Sequence, residues 1–425
     1  MSTLTAETTA EPSRPAQPEP SSSSPIWRRE SLPGVLDGWL AAHECELTDV
    51  RRYLHANPEL SGCEHGTAEF VAERLRRVGL EPRMIPGGNG VLCDIGEGDD
   101  DRIVALRADM DALPIDDPKD VPYRSTVPGV CHACGHDVHT TVLIGAGQVL
   151  AELHRNGQLP GRVRLVFQPS EEQFPSGAPV MMHAGALEGV SAIFAVHCDP
   201  KTPAGMVGVR SGPLTAASDM LEVRLSGRGG HTSRPHLTTD LVYALSRVAV
   251  DVPALLDRRL DPRTGVALVF GAIQAGSAPN AIPREGSLRG TVRMLDRDAW
   301  KTVPDMVTDI VKDVARAAGA EAEIQYTRGV PPVINDRVAT AVFAGAASAA
   351  LGENAVVEAP LSMGGEDFAW YLEQVPGAMA RLGVGRPGEQ LDIHQGDFDV
   401  DERAIGHGVR VMVHTALAAC ESAAF

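Results

Sequence analysis

Aromatic residues make up only 4% of this 425-residue chain, so it offers no stacking platform for single-stranded nucleic acid. Basic residues are outnumbered: 38 Lys and Arg face 56 Asp and Glu, a net charge of −18. That balance argues against nucleic acid and against anionic membranes as partners. No run approaches the roughly 18 apolar residues that a membrane-spanning helix requires. Cysteine is sparse too. Its seven positions are scattered and odd in number, which is no disulfide framework and favours the cytoplasm. The N-terminus has neither a basic start nor an apolar core, so a secretory signal is not expected. Residues 1–33, rich in Ser, Pro, Thr and Glu, are expected to be a disordered tail.

What remains is an ordinary globular composition, 43% hydrophobic, with length for two or three domains. Apolar strands alternate with helical patterns. Helices are expected over 35–54 and 65–79, a strand over 90–95, and another in "RIVALRADMDALPI". The stretch "DVHTTVLIGAGQVLAELHRNG" has helical spacing, and "RVRLVFQPSEE" and "AIFAVHCDP" read as strands that end in polar residues. This order predicts an α/β fold with a mixed, mainly parallel sheet flanked by helices.

Polar residues collect where these strands end. Asp109 and Asp111 close one strand. Cys134 and His136 of "CHACGHD" open a helix. Glu171 and Glu172 follow the next strand, and His197 is placed at the end of another. His394 lies in a loop after the strand "MARLGVG". Sites in open α/β sheets form outside the carboxyl ends of strands. A thiolate, imidazoles and carboxylates together suit Zn²⁺, Mn²⁺, Co²⁺ or Ni²⁺. A structural zinc finger would need a second Cys/His pair, and none is present. So many donors favour two divalent ions, roughly 3.5–4 Å apart, with one Glu of the pair binding metal and its neighbour accepting a proton.

Residues 215–327 break the alternation. Their order, β-α-β-β-α-β, reads as an α+β ferredoxin-like insert. The host is then discontinuous, 34–214 and 328–425. Gly212-Pro213 and Pro331-Pro332 are candidate hinges. The amphipathic helix of the insert, with Val303, Met306, Val307, Ile310, Val311 and Val314 on one face, and its edge strands are natural pairing surfaces.

Seven ordered stretches carry a resemblance: "LRADMDALPI", "CHACGHDVHTTVLIGAG", "FQPSEEQFPSGAPVMM", "GRGGHTSRPH", "SAPNAIPREGSLRGTVR", "GGEDFAWY" and "HQGDFDVDE". Over residues 35–420 the chain resembles the amidohydrolase branch of the carboxypeptidase G/aminoacylase metallopeptidase family, which includes hippurate hydrolase and indole-acetyl-amino-acid hydrolases. The resemblance implies a zinc-exopeptidase-like catalytic domain and an inserted lid and dimerisation domain, hence a homodimer. It implies Cys134, His136, Glu172, His197 and His394 as ligands of two metal ions, Glu171 as general base and Asp111 as a supporting acid. It places His231, Asn280 and Arg293 over the substrate, with His231 polarising the scissile carbonyl and Arg293 clamping a carboxylate. The implied substrate is a small N-acyl amino acid or short peptide, cleaved by metal-activated water.

Plainer readings stand beside these. Cys134 alone is more often a small buried hydrophobe, Asp109 a structural acid paired with Arg107, and His132 and His139 supporting or helix-surface residues. His183 reads as an ordinary helix histidine. His231, Asn280 and Arg293 are also compatible with a turn histidine, a turn asparagine and a surface charge. The chain departs from the family at Cys131, often Met, at Gln395-Gly396, often Ser-Pro and expected at the pocket mouth, and at Cys198, expected to influence metal choice. A dipeptidase or carboxypeptidase uses the same centre, and an inactive metal-binding scaffold is the other alternative. Retention of Glu171 argues against the scaffold.

Overall fold

The computed structural model describes residues 32–97 and 102–425. Most of the N-terminal tail expectation therefore lies outside the described residues. The largest sheet has eight strands, in the order Arg83–Met84, Val91–Ile95, Arg162–Gln168, Ile103–Asp109, Val190–Pro203, Gly377–Gly385, Val207–Val209, Val356–Glu358. The four strands from Arg162–Gln168 to Gly377–Gly385 run parallel, and antiparallel pairings join outer strands to them. A parallel sheet buries both faces, which explains why Ile103–Asp109 is buried at every position. Alternate residues serve two cores. Val104, Leu106 and Ala108 join the larger one, to which the helices Leu32–Ala56, His136–Arg155 and Arg403–Glu421 contribute. Ile103 and Ala105 face a smaller one with Met181, Phe368 and Tyr371.

Residues 217–330 build a second sheet, ordered Ala267–Ala275, Glu285–Met294, Ala217–Ser226, Glu321–Val330, with every pairing antiparallel. The helices Leu241–Asp257 and Arg297–Ala317 complete the β-α-β-β-α-β order. Their apolar stripes meet Leu221, Val223 and Leu225 in a core of their own. Val303, Val307, Ile310, Val311 and Val314 are buried there, and Met306 is partly buried. The chain enters and leaves this unit through a short antiparallel pair, Gly212–Thr215 with Val333–Asn335; Gly212-Pro213 lies within the first strand and Pro331-Pro332 just precedes the second. Among the described residues no helix is long and apolar enough to cross a membrane.

Candidate metal centre

The turn "CGHD" brings the first two donors together. Gly135 has φ +89°, and a Cβ there would stand 2.8 Å from Cys198 Sγ, so only glycine fits. Its turn leaves Cys134 just ahead of the helix and His136 as the first helical residue. Cys134 Sγ lies 3.5 Å from His197 Nε2.

Each imidazole is aimed from behind. His136 Nδ1 is 3.2 Å from Asp111 Oδ1 and donates to it. Asp111 Oδ2 accepts from Ser61 Oγ at 2.6 Å and from the Glu172 amide at 2.9 Å, so one carboxylate positions two donors. His197 Nδ1 donates to the Cys198 carbonyl at 2.8 Å. Such contacts leave Nε2 of both rings facing inward. His394 has a left-handed backbone, φ +61°, and its amide donates to the Ala133 carbonyl at 2.7 Å. That bond ties the C-terminal loop to the "CHACGHD" turn and sets His394 Nε2 3.1 Å from Glu172 Oε1.

Two three-residue groups result, Cys134–His136–His197 and Cys134–Glu172–His394, each with donor atoms within 4.8 Å of one another and sharing Cys134. A third, His136–Glu171–Glu172, adds the first acid of the pair. His136 Nε2 is buried with no hydrogen-bond partner. Buried polar atoms without partners are rare, and a divalent cation satisfies this one. The donor set fits such an ion.

Charge points the same way. Burial pushes the Cys134 thiol well above its usual range, and Glu172 and Glu171 push it further, so a thiolate here needs a cation. Burial opposes the charge of His136, yet Asp109, Asp111 and Glu172 raise its pKa to about 10. A metal ion takes the place of that proton. Burial, then the charge of Arg381, holds His197 neutral. Burial raises Glu171 well above the ordinary carboxylate range, with Glu366, Glu172 and Asp367 adding to it.

Several residues are bystanders. His139 donates from Nδ1 to Asp109 at 2.5 Å and accepts at Nε2 from the Cys198 amide at 2.7 Å, so neither nitrogen is free. His132 and His139 are fully buried, which corrects the helix-surface reading. Asp109 is paired with Arg107 at 2.6 Å. Cys131 is buried outside every donor group, and Cys198 Sγ faces the Gly135 carbonyl. His183 bonds its own helix carbonyl at Pro179.

The donors open into a cavity of about 640 Å³, lined by Glu171, Glu172, His197, His394, Arg293 and Arg381 among others. His231 and Asn280 are exposed and do not line it. They meet instead on a small ladder, where Thr232 N donates to the Asn280 carbonyl. His231 Nδ1 accepts from Ser233, which leaves Nε2 outward. Gln395 lines a neighbouring cavity, not this one.

Three features depart from or extend the sequence reading. His197 stands mid-strand, because Val190–Pro203 runs 14 residues rather than stopping at the site. Arg381 carries no motif in the sequence; its register partner is His197, so both side chains leave the sheet on one face. Glu64 carries none either. It accepts from the amide of Ser170, whose φ of +57° turns the chain into Glu171.

A buried thiol, imidazoles and carboxylates gathered on a mainly parallel α/β sheet are the donor set of a metal-dependent hydrolase. Residues 105–418 match the model of peptidase family M20/M25/M40. The chain belongs to that family. An N-acyl-L-amino acid amidohydrolase of Geobacillus stearothermophilus is 38% identical over 68% of this chain and 78% of its own length. A Rhodococcus jostii protein named for glutamate–cysteine ligase is 48% identical over 87% of this chain, which spans about half of that protein, 46%. The solved Bacillus subtilis YXEP protein, described as a dinuclear metal binding peptidase, is 33% identical with a TM-score of 0.77, covering 90% of this chain and 99% of its own.

Proposed function

We propose that this chain is an amidohydrolase that cleaves the amide bond of N-acyl amino acids. The observation that carries it is the pair of donor groups sharing Cys134, with Glu171 beside them. The name of the Geobacillus relative supports the substrate class. Cys134, His136, Glu172, His197 and His394 hold two divalent ions of the Zn²⁺, Mn²⁺, Co²⁺ or Ni²⁺ type. When bound, the ions polarise the substrate carbonyl and lower the pKa of water.

This chain's residues do the rest. Glu171 takes the proton of the attacking water on a carboxylate oxygen and gives it to the leaving nitrogen. Asp111 holds His136 through Nδ1 and Glu172 through its amide. Arg293 lines the cavity and has no hydrogen bond or ion pair among the described residues, as a carboxylate clamp requires. His231, placed outside the cavity of its own chain, reaches the carbonyl of a substrate in a second copy, and Asn280 accompanies it. The active species is then a homodimer, in which 215–327 serves as lid and pairing surface and 34–214 with 328–425 as host. All seven cysteines are free, in keeping with the cytoplasm. A panel of N-acyl amino acids and dipeptides, assayed after loading with each of the four metals, tests the activity; cleavage of dipeptides alone would overturn the substrate assignment.

A further inference from the structure

Four acids line the cavity, and each has a partner. Glu172 faces His394 at 3.1 Å, Glu366 faces Arg107 at 3.2 Å, Asp392 faces Lys201 at 3.1 Å, and Glu171 accepts from the Asp367 amide at 3.3 Å. The two guanidiniums that line the same cavity have none. Neither Arg293 nor Arg381 makes a hydrogen bond or ion pair among the described residues. Arg381 interrupts the strand Gly377–Gly385, whose neighbouring positions Ala380 and Leu382 are fully buried. A charge partly removed from water is stabilised by an opposite charge. The chain supplies no such charge, although it carries 56 acids and a net charge of −18. A substrate carboxylate held bidentately by Arg293 leaves the Arg381 guanidinium for a second anion.

We infer that the site is built for substrates with two anionic groups: an N-acyl amino acid whose own carboxylate meets Arg293 and whose second carboxylate meets Arg381. The inference rests on the amidohydrolase reading and adds the substrate class to it. The second carboxylate belongs either to the amino-acid side chain or to the far end of the acyl group. Arg381 is thus a specificity residue beside His197, supplying the planar, bidentate recognition that carboxylates favour.

Three probes separate the possibilities on the metal-loaded enzyme: N-acetyl-L-alanine with one carboxylate, N-acetyl-L-glutamate with the second on the amino side, and N-succinyl-L-alanine with it on the acyl side. One dianion is expected to exceed the monoanion in kcat/KM by about tenfold to a hundredfold, as a charge-assisted pair implies. Arg381→Met should collapse that ratio, chiefly through KM, and Arg381→Lys, which keeps the charge, should retain part of it. No wild-type preference for either dianion overturns the inference. So does a ratio unchanged in both variants. A uniform fall for all three substrates in Arg381→Met overturns it as well, because that marks a role at the reacting carbonyl. Calorimetric binding of the same probes to the metal-free protein, which needs no turnover, separates this inference from the activity reading. Dianion preference lost in Arg381→Met, with no hydrolysis of any probe, supports the anion site and sinks the amidohydrolase reading alone. No binding preference in the wild type sinks the anion site.

Discussion

Glu171→Gln keeps the shape of the side chain and removes one charge. The Asp367 amide still finds an oxygen acceptor, 3.3 Å away in the native protein. The acids that crowd Glu171 are Glu366, Glu172, Asp367 and Asp111, so loss of its charge relieves repulsion, and the fold should be no less stable than wild type. Catalysis should suffer heavily. Loss of a general base costs about 10²–10⁴-fold in kcat, or roughly 2.7–5.4 kcal/mol of barrier. Metal content should stay near wild type, since both donor groups that share Cys134 omit Glu171. Glu172→Gln is the control. It removes the oxygen 3.1 Å from His394 Nε2 and should lower metal occupancy together with rate. Plasma mass spectrometry for bound metal, steady-state kinetics and a melting curve on the same preparations read all three quantities. Retention of more than about a tenth of wild-type kcat in Glu171→Gln, or metal loss equal to that of Glu172→Gln, would refute the division of labour.

The thiol at the junction of the two groups makes a parallel prediction. Cys134→Ser should weaken metal binding and Cys131→Ser should do little, because a hydroxyl is a poorer donor than a thiolate; equal metal loss in competition against a chelating dye would contradict this. His231→Ala and Glu171→Gln should each be inactive alone, yet co-expression should restore about a quarter of wild-type activity, since half the dimers are mixed and each holds one intact site. Mixed dimers that stay inactive would exclude His231 from the partner's site. His132 is buried with both ring nitrogens unpartnered, and burial lowers its pKa to about 4. The unfolded chain therefore takes up this proton below about pH 6.5 while the folded chain does not until about 4, so stability is full above that window and lost as pH falls through it, by about 3 kcal/mol. Urea unfolding of metal-free protein at pH 7 and 4.5 should show a smaller acid loss in His132→Gln than in wild type; identical losses would show that this group does not contribute.

The periodic parts of the chain were readable. The helix His136–Arg155 announces itself by spacing, and the mainly parallel sheet by its apolar runs. "CGHD" and "SEE" stand out because a thiol, an imidazole and paired acids adjoin the ends of apolar strands and helices. What escaped notice depends on contacts between distant segments. Arg381 looks like one charge in an apolar strand until its register places it opposite His197. Glu64 reaches Ser170 across 106 residues, and Arg107 reaches Asp367 across 260. Asp199 and Pro200 look like a break after His197 in the sequence, whereas the strand continues through them to Pro203. His231 and Asn280 carry a motif, yet neither lines the cavity of its own chain.

The central claim is that the shared-cysteine cluster binds two ions and that amide cleavage depends on them. Titration of metal-free protein with Mn²⁺ or Zn²⁺, with N-acetyl amino acid hydrolysis followed at each step, tests it most directly. Uptake should saturate at about two ions per chain, with activity rising alongside and lost again to a chelator. Hydrolysis indifferent to chelation, or saturation with no more than one ion per chain, would contradict the account.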